Sequence, residues 1–137
     1  MGNIKRGLIV TDGTESIQQI ARAIANELAG TLAGIDVKTC TAEEYKGTDI
    51  LPADVFFIGC EKPNPVSFNY LARMLSHINL AARKCGVFST DKKALKYLAA
   101  LVRDSEAVMG KPLFITDAKN HADNVKAWIK EKSIIGQ

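Results

Sequence analysis

The sequence predicts an α/β protein in which a five-stranded parallel sheet lies between two layers of helices, a doubly wound three-layer sandwich. Short apolar runs without polar alternation predict strands that are buried on both faces. Segments with helical spacing of apolar residues separate these runs. The chain has 137 residues without a linker or a low-complexity stretch, which is the size of one domain. Because strand–helix–strand crossovers are almost always right-handed, this alternation places helices on both faces of the sheet.

Five strands are predicted. The four buried runs are residues 7–11 (GLIVT), 55–59 (VFFIG), 86–88 (GVF) and 113–116 (LFIT). Residues 35–40 (IDVKTC) alternate apolar and polar side chains, which is typical of a half-exposed edge strand. With this strand at an edge, the predicted order is 2-1-3-4-5, counting strands along the chain.

Helices are predicted between the strands, where apolar residues recur on one face. Residues 41–54 are too short and broken for a confident helix, and a turn or a short helix is expected there. Trp128 is expected to be an ordinary core residue of the last helix. The residues that define the four predicted faces are Ile17, Ile20, Ala21, Ile24 and Leu28; Leu71, Leu75, Ile78 and Ala82; Leu95, Leu98 and Val102; and Ala122, Val125, Trp128 and Ile129.

Composition points to a soluble cytoplasmic protein. No apolar run approaches the ~18 residues that span a bilayer, and the start of the chain (MGNIKRGLIV) has no signal-peptide pattern. The three cysteines have no metal-ligand spacing and no pairing pattern, which suits a reducing compartment. The net charge is only +3, and the lysines lie at spacings of solvated helix faces without interleaved aromatic residues. Neither a membrane nor a nucleic acid is therefore an expected partner.

A ligand is expected at one end of the sheet. In doubly wound folds, ligands bind beyond the carboxyl ends of the strands, at the switch point between strands 1 and 3. Three loops meet there, namely residues 11–16, 60–67 and 89–92. These loops are the places where the sequence predicts function.

The first of these loops, TDGTES, joins a buried strand to an amphipathic helix. With its length and its order of elements, the chain resembles the short-chain flavodoxins over nearly its whole length. The phosphate loop of that family reads roughly [ST]-x-T-G-x-T, just before an I-A pair on the first helix. Placing the pair on Ile20 and Ala21 aligns the motif with residues 12–17. Thr14 is kept, whereas Glu15 replaces the glycine and Ile17 the final threonine; a shift by one residue would bring in Thr11 or Ser16.

The resemblance implies an FMN cofactor and one-electron transfer to and from a redox partner protein. The chain would then set the potential of the flavin through loop hydrogen bonds and local charge, without making bonds itself. The residues expected at the cofactor are Thr11, Asp12, Gly13, Thr14, Glu15, Ser16, Cys60, Asn64, Ser67, Ser89, Thr90 and Asp91.

Two interpretations of the first loop remain open on the residues alone. A helix N-terminus attracts phosphate, and the hydroxyls of Thr11, Thr14 and Ser16 add donors. A carboxylate at Glu15 would repel a phosphate while stabilising the helix by ~0.3–1 kcal/mol. Asp12, Thr14 or Ser16 can also serve simply as the N-cap, which is the favoured interpretation of these residues.

The flavin side has few aromatic candidates. Phe68 and Tyr70 are expected inside the helix that follows the 60–67 loop, and the 89–92 loop (STDK) has no aromatic residue. The prolines Pro63 and Pro65 stiffen the second loop, whose backbone groups can bond a ring edge. Ser89–Asp91 fit turn chemistry or a helix cap. The alternative function is therefore a divergent module of the same fold without FMN, acting as a binding or interaction domain.

Other classes fail on position. A response-regulator receiver needs an aspartate at the end of strand 3 and a Lys-Pro pair after strand 5, but Lys111–Pro112 precedes that strand. A cysteine phosphatase needs a cysteine where the chain has Thr11. Cys60 has no basic neighbour in its loop positioned to activate it and is expected to be buried and inert. No role is assigned to His77 or His121.

Overall fold

A computed structural model describes residues 5–81, 83–116 and 122–130 of the chain. The strands are β1 (Arg6–Thr11), β2 (Asp36–Thr41), β3 (Val55–Gly59), β4 (Lys84–Ser89), β5 (Val108–Met109) and β6 (Leu113–Phe114). The helices are α1 (Glu15–Thr31), α2 (Gly47–Ile50), α3 (Asn69–Leu75), α4 (Lys92–Arg103) and α5 (Ala122–Ile129), and a 3-10 turn, Val66–Phe68, leads into α3.

The sheet is parallel and has the predicted order. Its path is β2-β1-β3-β4-β5, and β6 pairs separately with β4. The apolar runs of β1 and β3 are buried because both strands lie in the middle of the sheet, whereas at the edge only Cys40 of β2 is buried. The predicted α/β three-layer fold is confirmed.

Each face of the sheet has its own core. Leu8, Val10, Phe56 and Ile58 lie in one apolar cluster with residues of α3 and α4. Alternate residues of the same strands, such as Ile9, pack in the other cluster with α1 and α5. Since successive side chains of a strand point to opposite faces, burial on both faces explains why these runs lack polar alternation.

The last predicted strand, residues 113–116, is shorter than expected, and a further short strand precedes it. Cys85 pairs with Met109 in β5 and Phe88 pairs with Leu113 in β6. Three residues of the edge, 110–112, therefore face two residues of β4, which is the geometry of a bulge. Pro112 lies in this interruption and has no N–H group to donate to β4. The strand is divided for that reason.

Two further differences concern the helices. Helix α3 ends at Leu75, so Ile78 lies beyond it. At this end the hydroxyl of Ser76 donates a hydrogen bond to the carbonyl of Arg73 at 2.8 Å, which satisfies one of the terminal carbonyls. Ala82, also expected in that helix, is outside the described residues. Segment 41–54 contains the short helix α2, in keeping with the predicted turn or short helix.

Trp128 lies in the core, as predicted. Its side chain is 4% exposed. The indole N–H donates a hydrogen bond of 2.6 Å to the carbonyl oxygen of Lys111, inside the edge-strand bulge. The ring also covers Gly86 of β4, where a Cβ atom would lie 2.6 Å from the indole. Helix α5 is thereby fixed to both β4 and the bulge.

Within the described part of the chain, no helix combines the length and the apolar character needed to cross a membrane.

Candidate functional site

The loops after β1 and β3 are joined at the carboxyl end of the sheet. The backbone N–H of Glu61 donates a 2.7 Å hydrogen bond to Oδ2 of Asp12. A second link runs between side chains, from the hydroxyl of Ser16 to Oε2 of Glu61 at 2.8 Å. Two of the three loops that the sequence selects therefore form one connected unit at the switch point.

Asp12 organises the first loop. Its Oδ1 atom accepts hydrogen bonds from the N–H of Thr14 at 3.0 Å and from the hydroxyl of Thr14 at 2.7 Å. Gly13, between them, has a φ of +84°, a conformation that suits glycine. The N–H of Gly13 in turn donates to Oγ1 of Thr11 at 3.2 Å. The loop is thus a tight turn built around a carboxylate.

Helix α1 begins without a side-chain cap. Thr14 occupies the N-cap position but makes no capping hydrogen bond from its side chain. The first intrahelical bond joins the N–H of Gln18 to the carbonyl of Thr14 at 2.9 Å. The N–H groups of Glu15, Ser16 and Ile17 come before it, and such groups have no partner within a helix. Of the three predicted cap residues, Thr14 is therefore the one at the N-cap position, although its side chain makes no capping hydrogen bond, and the positive end of the helix faces the loops.

The charge of Glu15 was expected to repel an anion at the loop, but its carboxylate interacts with residues further along α1. Its Oε2 atom accepts hydrogen bonds from Arg22 and Gln19, each at 3.2 Å. These partners are one and two turns further along α1, so the carboxylate points along the exposed helix face. The carboxylates that lie at the loop itself belong to Asp12 and Glu61.

The loop after β3 contains two prolines and, between them, Asn64. Asn64 has a φ of +51°, in the left-handed region that asparagine tolerates better than most residues. Ser67 lies in the 3-10 turn that follows, and Phe68 at the end of this turn is fully buried in the core. Tyr70, in α3, is 48% exposed and is therefore the accessible aromatic ring next to this loop. Its ring centroid is 5.9 Å from that of Tyr45.

The loop after β4 consists of turn and capping contacts. The buried hydroxyl of Ser89 donates to the carbonyl of Cys60 at 2.6 Å and accepts from the N–H of Asp91 at 3.0 Å. Asp91 caps α4 by accepting from the N–H of Lys93 at 3.2 Å. Thr90 lies between these two residues and is partly exposed. Ser89 therefore ties the ends of β3 and β4 together, and its side chain is occupied by that role.

The thiols of the site region are not activated. Cys60 is fully buried, and burial, together with the nearby charges of Asp12 and Asp91, raises the pKa of its thiol to about 12. The thiol is therefore protonated at neutral pH and is a poor nucleophile. Cys40 and Cys85 are also free and buried.

Metal chemistry has no candidate in the described ranges, where no group of three or more His, Cys, Asp or Glu residues could hold an ion. His77 is exposed, and its ring nitrogen Nδ1 lies 2.8 Å from the carbonyl oxygen of Arg73. His121 is outside the described residues.

Glu61 is a residue of these loops that was not among the predicted cofactor residues. It belongs to the predicted 60–67 loop, but its role depends on the approach of two segments that are 49 residues apart. The available signal was an acidic residue placed directly after a buried strand at the ligand end of the sheet.

No protein-family model matches the chain, and no curated protein matches it by sequence. Solved structures do match. The flavodoxin of Streptococcus pneumonia TIGR4 is 16% identical, with a TM-score of 0.71 over 88% of this chain and 94% of that one. Oxidised Flavodoxin 2 from Bacillus cereus is 16% identical, with a TM-score of 0.72 over 90% of this chain and 94% of that one. A Fusobacterium nucleatum flavodoxin bound to flavin mononucleotide is 12% identical, with a TM-score of 0.70 over 92% of this chain and 95% of that one. The fold is flavodoxin-like.

Proposed function

We propose that this protein binds FMN at the switch point and carries single electrons between partner proteins. The observation that supports this most is the free amino end of α1, which lies beyond β1 in a flavodoxin-like sheet and makes no side-chain cap. A helix end of this kind favours a phosphate through its N–H groups and its dipole. Among the structural neighbours, the Fusobacterium nucleatum flavodoxin has bound flavin mononucleotide.

The donors at this end of the molecule fit a phosphate. The N–H groups of Glu15, Ser16 and Ile17 precede the first intrahelical bond. The hydroxyls of Thr14 and Ser16 stand beside them and would turn to the phosphate from the carboxylates of Asp12 and Glu61, to which they now donate. In the proposed complex these five donors would hold the phosphate, with the other predicted cofactor residues of the three loops around it. The backbone of the loop after β3, shaped by Asn64 and the adjacent prolines, would bond the edge of the ring.

Bound FMN would supply the one-electron chemistry, and the chain would supply binding and orientation. The N–H groups of α1 would fix one end of the ligand. The loop after β3 would hold the other end, and the ordering of that loop by Pro63 and Pro65 would reduce the entropy lost on binding.

A second candidate is an interaction module of the same fold that does not retain FMN. It is favoured by the carboxylates of Asp12 and Glu61, which lie at the proposed phosphate position. It is also favoured by the burial of Phe68, which removes one of the aromatic rings near the flavin position. The same surface would then serve contacts with another protein.

The absorption spectrum of the purified protein distinguishes these candidates. The protein is measured as isolated and again after incubation with excess FMN and removal of free ligand. We expect flavin bands in at least the second spectrum, together with quenching of FMN fluorescence in a titration. A protein that is colourless in both spectra and leaves FMN fluorescence unchanged contradicts the carrier function and favours the module.

A further inference from the structure

We infer that the carboxylate of Asp12 is an internal ligand of the proposed phosphate site and determines which ligand the site accepts. The inference rests on the proposed function, because it concerns the same loops. An incoming phosphate has to displace Asp12 from the hydroxyl of Thr14, whereas a flavin without a phosphate does not. Asp12 is thus a specificity-determining residue that disfavours FMN relative to riboflavin.

The first support is the set of donors that Asp12 occupies. Its two oxygen atoms accept from the N–H and the hydroxyl of Thr14 and from the N–H of Glu61. These donors come from both loops that would surround a ligand. A carboxylate is an anion with the same preference for N–H and O–H donors as a phosphate, so the two compete for the Thr14 hydroxyl, which is among the donors proposed for the phosphate.

The second support is that the other hydroxyls of the loop are also engaged. The hydroxyl of Ser16 donates to the Glu61 carboxylate at 2.8 Å, and the hydroxyl oxygen of Thr11 accepts from Gly13 at 3.2 Å. A phosphate at this position would therefore lose the use of Thr14 and Ser16 unless both carboxylates moved. It would also meet their negative charges at short range, where the effective dielectric is lower than in water.

The third support is the contrast with Glu15, which carries the same charge three positions along the chain. Its carboxylate is paired with Arg22 at 3.2 Å on the exposed face of α1, and the two side chains are 74% and 60% exposed. Solvent and the partner screen this charge from the N-terminal end of the helix. Charge removal at position 12 should therefore act on an anion much more strongly than charge removal at position 15.

The test is a matched pair of variants, Asp12→Asn and Glu15→Gln, each of which replaces one carboxylate by an amide. Dissociation constants are measured for riboflavin, FMN and inorganic phosphate. We expect Asp12→Asn to bind FMN and phosphate at least about tenfold more tightly than the parent, with riboflavin affinity changed by less than about threefold. Glu15→Gln keeps the backbone N–H that would contact the phosphate, and it should raise the affinities for FMN and phosphate by a smaller factor than Asp12→Asn does.

Backbone amide chemical shifts provide a readout that does not depend on a bound flavin. Phosphate added to Asp12→Asn should shift the amide signals of Glu15, Ser16 and Ile17, and it should do so at lower concentration than in the parent. If Asp12→Asn does not fold, Asp12→Ser replaces it, because a serine hydroxyl can still accept a hydrogen bond from the Thr14 N–H but carries no charge.

The failures are distinguishable. If neither riboflavin nor FMN binds the parent or any variant, the proposed function is contradicted. The phosphate titration then still shows whether Asp12 competes with an anion. Equal gains in Asp12→Asn and Glu15→Gln would show that only net charge matters, and no gain of phosphate affinity in either position-12 variant would show that Asp12 does not compete. Either result overturns the inference.

Discussion

Replacing Gly86 by alanine should destabilise the protein through a contact with Trp128. A Cβ atom at position 86 would lie 2.6 and 2.7 Å from two atoms of the indole and 2.9 Å from the ring of Phe57. Ordinary carbon contacts are about 3.5–4.0 Å, so the rings have to move by roughly 1 Å. The indole is held by its hydrogen bond to the Lys111 carbonyl, which opposes that movement.

The expected cost follows from overpacking. An extra methyl group in a close-packed core costs ~1–3 kcal/mol in the free energy of unfolding. The matched control is Gly30→Ala, at the exposed end of α1, where no atom lies within 4 Å of the added Cβ. Alanine should stabilise that helix by ~0.5–1 kcal/mol, since glycine is a poor helix former. The same chemical change thus has opposite predicted signs at the two positions.

Urea denaturation measures both variants, with the midpoint and the slope fitted separately. In a Trp128→Phe background, which lacks the two indole atoms that the methyl group would contact, Gly86→Ala should cost at least ~0.5 kcal/mol less. A neutral or stabilising Gly86→Ala would refute the packing argument. An unchanged cost in the Trp128→Phe background would refute the assignment to the indole.

Two further predictions concern the buried polar and thiol groups. Ser89→Ala should lower the free energy of unfolding by ~1–3 kcal/mol, because it leaves the Cys60 carbonyl and the Asp91 N–H without their hydrogen-bond partner. Chemical denaturation measures this loss, and a change smaller than the error of the fit contradicts the prediction. Burial raises the pKa of Cys60 to about 12 and that of Cys40 to about 11, from 9.0. Above about pH 9 the folded state therefore binds more protons than the unfolded state. The free energy of unfolding is unaffected by these thiols below about pH 9 and falls as the pH rises toward the two folded-state pKa values. Unfolding curves between pH 8 and 11 should show the decline, with a shallower slope for Cys60→Ala, and an identical slope would contradict the prediction.

Much of the fold could be predicted because burial on both faces leaves a direct mark on the sequence. The continuous apolar runs at residues 55–59 and 7–11 identified two central strands, and the alternation in IDVKTC identified the edge. At the other edge, the apolar run at residues 113–116 identified β6, but neither β5 nor the division of the strand could be predicted. Its two halves have two residues each, and a pattern of period two is not detectable over so short a length.

The position of the site in the fold could be predicted from the sequence, but the contacts between its residues could not. Topology alone put the loops after β1 and β3 at the same end of the sheet. Which side chain would turn toward which loop depended on tertiary geometry: Asp12 bonds a backbone N–H that belongs to Glu61, and a backbone donor leaves no signal in the sequence. For the same reason, the sequence drew attention to the charge of Glu15, whereas the carboxylates that form hydrogen bonds within the loops are those of Asp12 and Glu61.

The divided edge strand has a consequence for association between copies of the chain. An uninterrupted edge strand offers unpaired N–H and C=O groups on which a further strand can form, and this leads to aggregation. Here Pro112 removes a donor, the bulge bends the edge, and the exposed Lys111 stands beside it. At the opposite edge, β2 presents the exposed Asp36 and Lys38. Both edges of the sheet therefore have features that disfavour the addition of another strand.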